Sequence, residues 1–480
     1  MSTGASADEA ERRRWRAFSV CLVTAFMTLL DVSIVNVALP SIRSGLHATE
    51  SDLQWVLSGY ALTFGLALVP AGRYGDARGR RDVFIAGLAV FTLSSAAAGL
   101  ARDAGFLVAA RLVQGAAAGV VNPQVVALIQ DLFPPAERGR PFGLLGATVG
   151  ISTAVGPLLG GILIALGGAS EGWRWVFYVN VPVGVAAIVL GWRLIPAHPR
   201  GGRRSESLDP VGVALLGTGV VLVLLPLVQE RQWHGRAKWL LLVVAAVVLA
   251  GFAGWERRYA RHSDPLVDLD LFRLRSYTLG ALIGLLYFAG FTAIFFIYTL
   301  YLQSGLRYSA LLAGLAMTPF ALGSAGSAAV GGRIVNRYGR PLVAIGLGMV
   351  AAGLAATVLA VHVAPGRAAP LATAAPLLLA GLGSGLVITP NQTITLSQVP
   401  PSKGGSAGGV IQTGQRVGAA IGIATVGSVF FADLAATGGH WARAFRLALL
   451  VAIALIVVAL ATALADVFVS RRPRPGSAPR

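Results

Sequence analysis

Apolar, nearly charge-free stretches recur along the whole of this 480-residue chain, each close to the roughly 20 residues that a helix needs to cross a bilayer. The 39 Lys and Arg and 21 Asp and Glu gather in the short runs between those stretches, so only 12% of residues are charged while 55% are hydrophobic. A soluble domain carries about twice that share of charge. The pattern specifies an all-α polytopic membrane protein. The net charge of +18 is then assigned to loops on one face of the membrane, where Lys and Arg orient helices, and not to nucleic-acid binding. A single cysteine, Cys21, excludes an intramolecular disulfide or a thiolate metal cluster, and HExxH, Walker and CxxC patterns are absent. No enzyme activity, cofactor or metal is expected.

Fourteen spans are predicted, near 17–40, 52–72, 83–101, 105–130, 141–167 and 175–195, then 210–228, 238–255, 276–302, 310–333, 341–362, 371–398, 404–432 and 445–468. Arg12, Arg13, Arg14 and Arg16 precede the first span, which is too long for a signal-peptide core and lacks an A-x-A cleavage site. With a cytoplasmic N-terminus, 27 of the 39 basic residues fall inside and 10 outside, which fixes both termini in the cytoplasm. The expected organisation is a tail (1–16), a six-helix half (17–200), an inserted pair of helices (201–260), a second six-helix half (261–469) and a C-terminal tail (470–480).

Two halves are implied by an internal repeat. GRYGDARGR from Gly72 to Arg80 aligns with GRIVNRYGR from Gly332 to Arg340, an offset of 260, although Asn336 stands where the first copy has Asp76. Pro134-Pro135 aligns with Pro400-Pro401, and Gly115 and Gly119 with Gly381 and Gly385, at 266. Transporters built from such repeats hold their substrate between the halves.

LDVSIVNVALP (Leu30 to Pro40), GRYGDARGRR (Gly72 to Arg81), RLVQG (Arg111 to Gly115), GISTAVGPLLGG (Gly150 to Gly161), WRWVFYVNVPVG (Trp173 to Gly184) and DPLVDLDLFR (Asp264 to Arg273) follow in order along the chain. In this set the sequence resembles the major facilitator superfamily, and within it the 14-helix drug:proton antiporters of the EmrB/QacA type. The resemblance covers nearly the whole chain and implies two six-helix halves plus an inserted central helix pair. It further implies that Arg111 and Gln114 take part in proton coupling, that Gly72, Asp76, Arg80 and Arg81 form a conformational gate, and that Gly150, Gly156, Pro157, Gly160 and Gly161 form an antiporter motif. Gly414, Gly418 and Gly422 recur every four residues on the thirteenth helix, and this smooth face is expected to meet the fifth helix where the halves rock.

Only Asp31, Arg111 and Arg416 are placed inside helices, each at a cost of about 2.5–3.5 kcal/mol in mid-membrane. A carboxyl group can release and rebind a proton, whereas Arg stays charged, so Asp31 is the candidate proton carrier. The alternative is a structural partner for a neighbouring Arg. Gln114 lies one helical step from Arg111 on the same face, and Arg416 reads as structural. No His falls mid-helix, which argues against a histidine relay.

Substrate contacts are expected, by the same resemblance, on helices 1, 4, 9 and 12. Tyr287, Phe291, Phe295 and Tyr298 form an aromatic stripe on helix 9, suited either to stacking planar drugs or to plain packing. Asn36, Asn122, Gln124, Asn391 and Gln392 are candidate polar contacts. The function expected is proton-coupled efflux of hydrophobic small molecules or antibiotics by a monomer in the cell (inner) membrane, whose partners are its substrate, protons and the lipid bilayer. A dedicated exporter of one endogenous metabolite is the nearest alternative, with an uptake symporter and a non-transporting receptor behind it.

Overall fold

Short polar side chains start several of the helices. At α2 (Glu50–Arg78) Thr49 Oγ1 accepts from the Asp52 N–H at 3.2 Å, and Asp52 Oδ2 accepts from the Thr49 N–H at 2.9 Å, so two otherwise orphaned donors are satisfied reciprocally. Asp103 caps α4 (Ala104–Leu132) by accepting from the Phe106 N–H at 2.8 Å. Ser309 caps α11 (Ala310–Tyr338) in the same way. Gly79 (φ 106°) and Gly339 (φ 58°) then turn the chain directly from α2 into α3 (Arg80–Gly99) and from α11 into α12 (Arg340–Val363). Residues with a Cβ avoid such backbone angles.

The computed structural model describes residues 2–168, 171–197, 209–228, 233 and 235–470. The expected loop charges Arg200, Arg203, Arg204 and Arg231, and the 471–480 part of the C-terminal tail, lie outside the described residues. The remaining helices are α1 (Ser2–Leu46), α5 (Gly139–Gly167), α6 (Trp173–Tyr178), α7 (Asn180–Leu194), α8 (Pro210–Val228), α9 (Leu240–Tyr259), α10 (Arg275–Leu300), α13 (Ala369–Thr395), α14 (Gly404–Ala436) and α15 (Trp441–Ser470). All fifteen elements of more than five residues among the described residues are thus helical, and none is a strand. Among the described residues, thirteen stretches are long and apolar enough to cross a membrane, and α5, with 29 residues, covers the fifth predicted span.

Three sequence expectations change. The sixth predicted span is two helices, α6 and α7, that meet at Val179. Most of the predicted N-terminal tail is a continuation of α1, held down where Arg14 pairs with Glu137 at 2.8 Å and Arg140 covers the Trp15 ring at 4.7 Å. The helices also run past the apolar stretches and so take in more charge than Asp31, Arg111 and Arg416. Asp76, Arg80, Glu256 and Arg340, outside the predicted spans, and Asp466, inside the last of them, all have buried side chains in helices. Several of these charges meet an opposite one, as where Asp466 contacts Arg275 and Arg340, each at 2.9 Å.

Helices α1 to α7 pack mainly on one another, as do α10 to α15; α2 crosses α14 and α5 crosses α11 between the two groups. At the end of the bundle where Gly79 and Gly339 turn the chain, the buried core is shared. It joins Phe84, Phe133 and Phe142 to Tyr277, Leu396 and Ala407. Towards the opposite end the core splits, one part around Ile34, Val56 and Phe177 and another around Ile294, Tyr298 and Phe445. The bundle is therefore closed at its glycine-turn end.

The repeat seen in the sequence recurs as packing. A Cβ on Gly115 would collide with the Tyr60 carbonyl, and one on Gly381 with the Phe320 carbonyl, which lies 260 residues beyond Tyr60. Likewise Gly72 presses on the backbone of Gly405, while Gly332 presses on that of Gly139. Each Pro-Pro pair leads into a short 3-10 turn, Pro135–Glu137 before α5 and Pro401–Lys403 before α14.

Candidate functional site

Asp31 lies in the middle of α1 with no solvent exposure. Its Oδ2 accepts from Arg111 Nη1 at 2.6 Å, and its Oδ1 accepts from Gln114 Nε2 at 3.0 Å and from Asn180 Nδ2 at 2.9 Å. Gln114 and Asn180 both also donate to Ser95 Oγ, at 3.1 and 3.0 Å, and that hydroxyl donates to the Phe177 carbonyl at 2.9 Å. Arg111 is oriented further by its bonds to Gln114 Oε1 (2.8 Å) and to the Val56 carbonyl (3.2 Å). Two helices, α4 and α7, thus point three N–H groups at one carboxylate, and the three predicted residues Asp31, Arg111 and Gln114 are brought together. Removing either member of a buried pair typically costs about 3–5 kcal/mol, since the other charge is left uncompensated. A proton bound at Asp31 would leave Arg111 in that position.

From Arg111 a ladder of rings and guanidinium groups reaches the other group of helices. Arg111 Cζ is 4.2 Å from the Tyr60 ring centre, Tyr60 lies 6.1 Å from Phe64, and Arg416 Cζ of α14 is 4.2 Å from the Phe64 ring centre. Tyr60 and Phe64 are one helical step apart on α2, which places both rings on one face. Among the described residues no acid or hydrogen-bond acceptor holds Arg416. A desolvated cation–π contact contributes about 2 kcal/mol.

The gate residues meet where the two groups cross. Asp76 Oδ1 accepts from the Gly405 N–H at 3.0 Å and Oδ2 from the Ser406 N–H at 2.9 Å, so the carboxylate caps the first turn of α14. Anionic groups are stabilised there by the unpaired amides and the helix dipole. Arg80 ties the cap down, bonding Asp76 Oδ1 at 2.8 Å, Asp131 at 2.7 Å, and the Ala127 and Pro401 carbonyls. Gly72 is needed for the close approach to Gly405. Arg81 turns away, pairing with Asp82 and covering the Trp192 ring at 5.0 Å. In the second copy of the motif Asn336 Nδ2 donates to the Ala136 carbonyl at 2.5 Å, a neutral bond where the first copy has a charged one.

The helix 5 glycines divide between two neighbours. Gly150 packs against Ala321 and Ala325 of α11, Gly156 and Gly160 against Ser33 and Ile34 of α1, and Gly161 meets nothing within 4 Å. The Pro157 side chain lies outside the described residues. The glycine face expected on the thirteenth helix does not meet α5. Gly418 and Gly422 receive the Leu285 and Ala289 carbonyls of α10, within the second group, and it is Gly405 and Gly409 that face α2. Spacing gave the smooth face but not its partner.

Of the candidate substrate contacts, Phe291 and Phe295 stay partly exposed and pack edgewise on each other at 5.1 Å. Tyr287 and Tyr298 are fully buried, bonded to Ser384 Oγ (2.7 Å) and Thr373 Oγ1 (2.6 Å). Asn391 is also engaged, accepting from Arg340 Nη1 at 2.6 Å and donating to the Gly280 carbonyl at 2.8 Å. Asn122 donates to the Ala118 carbonyl at 3.0 Å, and Gln124 to that of Ala71 at 2.7 Å. Asn36 is exposed on the face of α1 that also carries Val32, and Gln392 is half-buried. Sequence reasoning missed Ser95, Asn180, Tyr60 and Phe64. A lone amide in the apolar run WRWVFYVNVPVG was a usable signal for Asn180; nothing in the local pattern marked the others.

The sequence profile described as Major Facilitator Superfamily matches residues 21–423 and 280–479. The chain belongs to the major facilitator superfamily. Superfamily relatives include the probable actinorhodin transporter of Streptomyces coelicolor, 35% identical over 87% of this chain and 73% of that protein. The puromycin resistance protein pur8 of Streptomyces alboniger is 36% identical over 87% of this chain and 82% of its own length. Among solved structures, the human organic anion transporter MFSD10 superposes with a TM-score of 0.70 at 16% identity, covering 94% of this chain and 99% of that one. At that identity it shows the superfamily's fold alone.

Proposed function

We propose that this chain is a proton-coupled efflux transporter of the 14-helix drug:proton antiporter type, exporting hydrophobic small molecules or antibiotics by alternating access between two six-helix halves. The observation that carries the reading is the Asp31 site: a buried carboxylate, saturated by Arg111, Gln114 and Asn180, inside a bundle closed at one end. Relatives named for antibiotic transport and resistance support the substrate class. The excess of Lys and Arg at the glycine-turn end supports placing that end and both termini in the cytoplasm of the inner membrane. The closed end then faces the cytoplasm, and the carboxylate exchanges protons with the outside.

In this cycle a proton entering at Asp31 displaces Arg111, and the Arg111–Tyr60–Phe64 ladder carries that change to α14. The Asp76 cap on α14 breaks as the cytoplasmic end opens. The membrane potential contributes about 2.3 kcal/mol per charge per 100 mV to the exchange. The protein acts as a monomer with helices α8 and α9 as an inserted pair. A dedicated exporter of one metabolite is a second reading, favoured by the naming of a relative after a single compound.

Inverted membrane vesicles separate these from no transport at all. An energised vesicle should accumulate hydrophobic antibiotics and lose them when a protonophore is added. Accumulation that ignores the protonophore would refute proton coupling.

A further inference from the structure

Charge accounting in the centre of the bundle leaves one cation over. Asp31 neutralises Arg111 at 2.6 Å, whereas Arg416 has neither an acid nor a hydrogen-bond acceptor among the described residues. Arg416 is half-buried, with its guanidinium group on the Phe64 ring. The Phe64 ring that it covers stands about 12 Å above the Gly72–Gly405 crossing, since eight residues of α2 separate Phe64 from Gly72 at roughly 1.5 Å each. This is the level at which the shared core gives way to two separate ones.

Two further polar groups at the same level have no partner. The Tyr60 hydroxyl is buried and makes no hydrogen bond, and Tyr60 is one turn from the Phe64 ring that Arg416 covers. Thr413 Oγ1 is also buried without a partner and lies three residues before Arg416, on the same face of α14. Buried hydroxyls are normally satisfied. A cation without an acid, two idle hydroxyl donors within one helical step of it or of the ring it covers, and aromatic rings alongside supply the charge, donors and stacking surface that a planar ring carrying one negative charge requires.

Resting on the efflux reading above, we infer that Arg416, with Tyr60 and Thr413, is the anchor for an anionic aromatic substrate, a ring compound bearing a carboxylate or phenolate. The site bridges the two groups of helices, with Tyr60 on α2 and Arg416 on α14, so its occupancy bears on the crossing that Asp76 latches. It also adjoins the proton site through the Tyr60 ring, which Arg111 covers at 4.2 Å.

The test uses the purified full-length protein in nanodiscs and three probes that share one ring: anthracene-9-carboxylate, its carboxamide, and 9-(aminomethyl)anthracene. The carboxylate is expected to bind wild type at least tenfold more tightly than the amide or the amine. Arg416→Gln should erase that preference, and Arg416→Lys should keep part of it. Equal or tighter binding of the amide or amine to wild type overturns the inference, as does a carboxylate preference that survives in Arg416→Gln; the wild-type comparison alone decides if Arg416→Gln does not fold. Proton movement measured with the same probes in proteoliposomes keeps the two readings apart. Exchange driven by the amine without carboxylate binding leaves efflux standing and removes the anion site. Arg416-dependent carboxylate binding without proton movement does the reverse.

Discussion

The Ser406 backbone N–H donates to Asp76 Oδ2 at 2.9 Å across 330 residues of sequence, and this bond holds the start of α14 against the end of α2. In the proposed cycle it is present only while the glycine-turn end is closed, since the two partners belong to different groups of helices. Replacing Asp76 by Asn keeps the shape but removes the charge at the helix N-terminus. The ratio of closed to open forms should fall roughly 5- to 30-fold, for a loss of about 1–2 kcal/mol. Spin labels at the exposed positions Arg78 and Ser402 would report this as a new population at longer distance. An unchanged distance distribution would show that the cap is not a latch.

Gly72 and Gly161 offer an internal contrast. A Cβ on Gly72 runs into the Gly405 carbonyl, a backbone atom that cannot step aside, whereas Gly161 has open space. Gly72→Val is therefore expected to lower the initial exchange rate by roughly tenfold or more while the protein still folds, because overpacking at a crossing blocks closure. Gly161→Ala should leave the rate near wild type. Initial rates with thermal unfolding as the folding control check both.

The Arg340–Asp466 contact should be structural. Arg340→Leu takes away one of the two guanidinium groups that neutralise the buried Asp466, the other being the half-exposed Arg275, at a cost of about 3–5 kcal/mol. Adding Asp466→Leu should recover most of the lost thermal stability, because two apolar groups replace a broken pair. A double variant no more stable than the single one would contradict this.

Helices, their order and the repeat were legible because hydrocarbon imposes long apolar runs and because two Gly-rich turns recur at a fixed offset. Asp31, Arg111 and Asp76 were legible for a related reason: charge in an apolar or tightly turned segment is conspicuous. What the sequence could not supply was partnership. Asn180 reaches Asp31, and Ser95 reaches the Asn180 amide, from helices far apart in the chain, and no local period records that. The same limit explains Gly418 and Gly422, whose spacing predicted a smooth face while only the three-dimensional packing could assign it to α10. Asp466 escaped notice because it stands near the end of its helix, where a charge looks like a loop residue.

Asn180 gives a direct probe of the missed part of the site. Asn180→Leu removes one of the three donors to Asp31 and leaves Gln114 and Arg111 in place. Losing one such bond is worth about 1–3 kcal/mol, so proton-coupled exchange should fall roughly 5- to 100-fold with the folded fraction preserved. Asn36→Leu, which alters an exposed amide bonded only to its own helix, should leave the proton:substrate coupling intact. Equal effects from the two variants would argue that Asn180 is merely packing.

The most direct measurement is proton movement by wild type and Asp31→Asn in liposomes loaded with a pH-sensitive dye, under an imposed proton gradient, with a panel of aromatic antibiotics added. Asn has nearly the shape of Asp and can still accept from Arg111, but it has no proton to exchange. Substrate-dependent proton movement in wild type that disappears in Asp31→Asn, with the protein still folded, is the expected result. Proton movement by Asp31→Asn at the wild-type rate would contradict the assignment of Asp31 as the proton carrier.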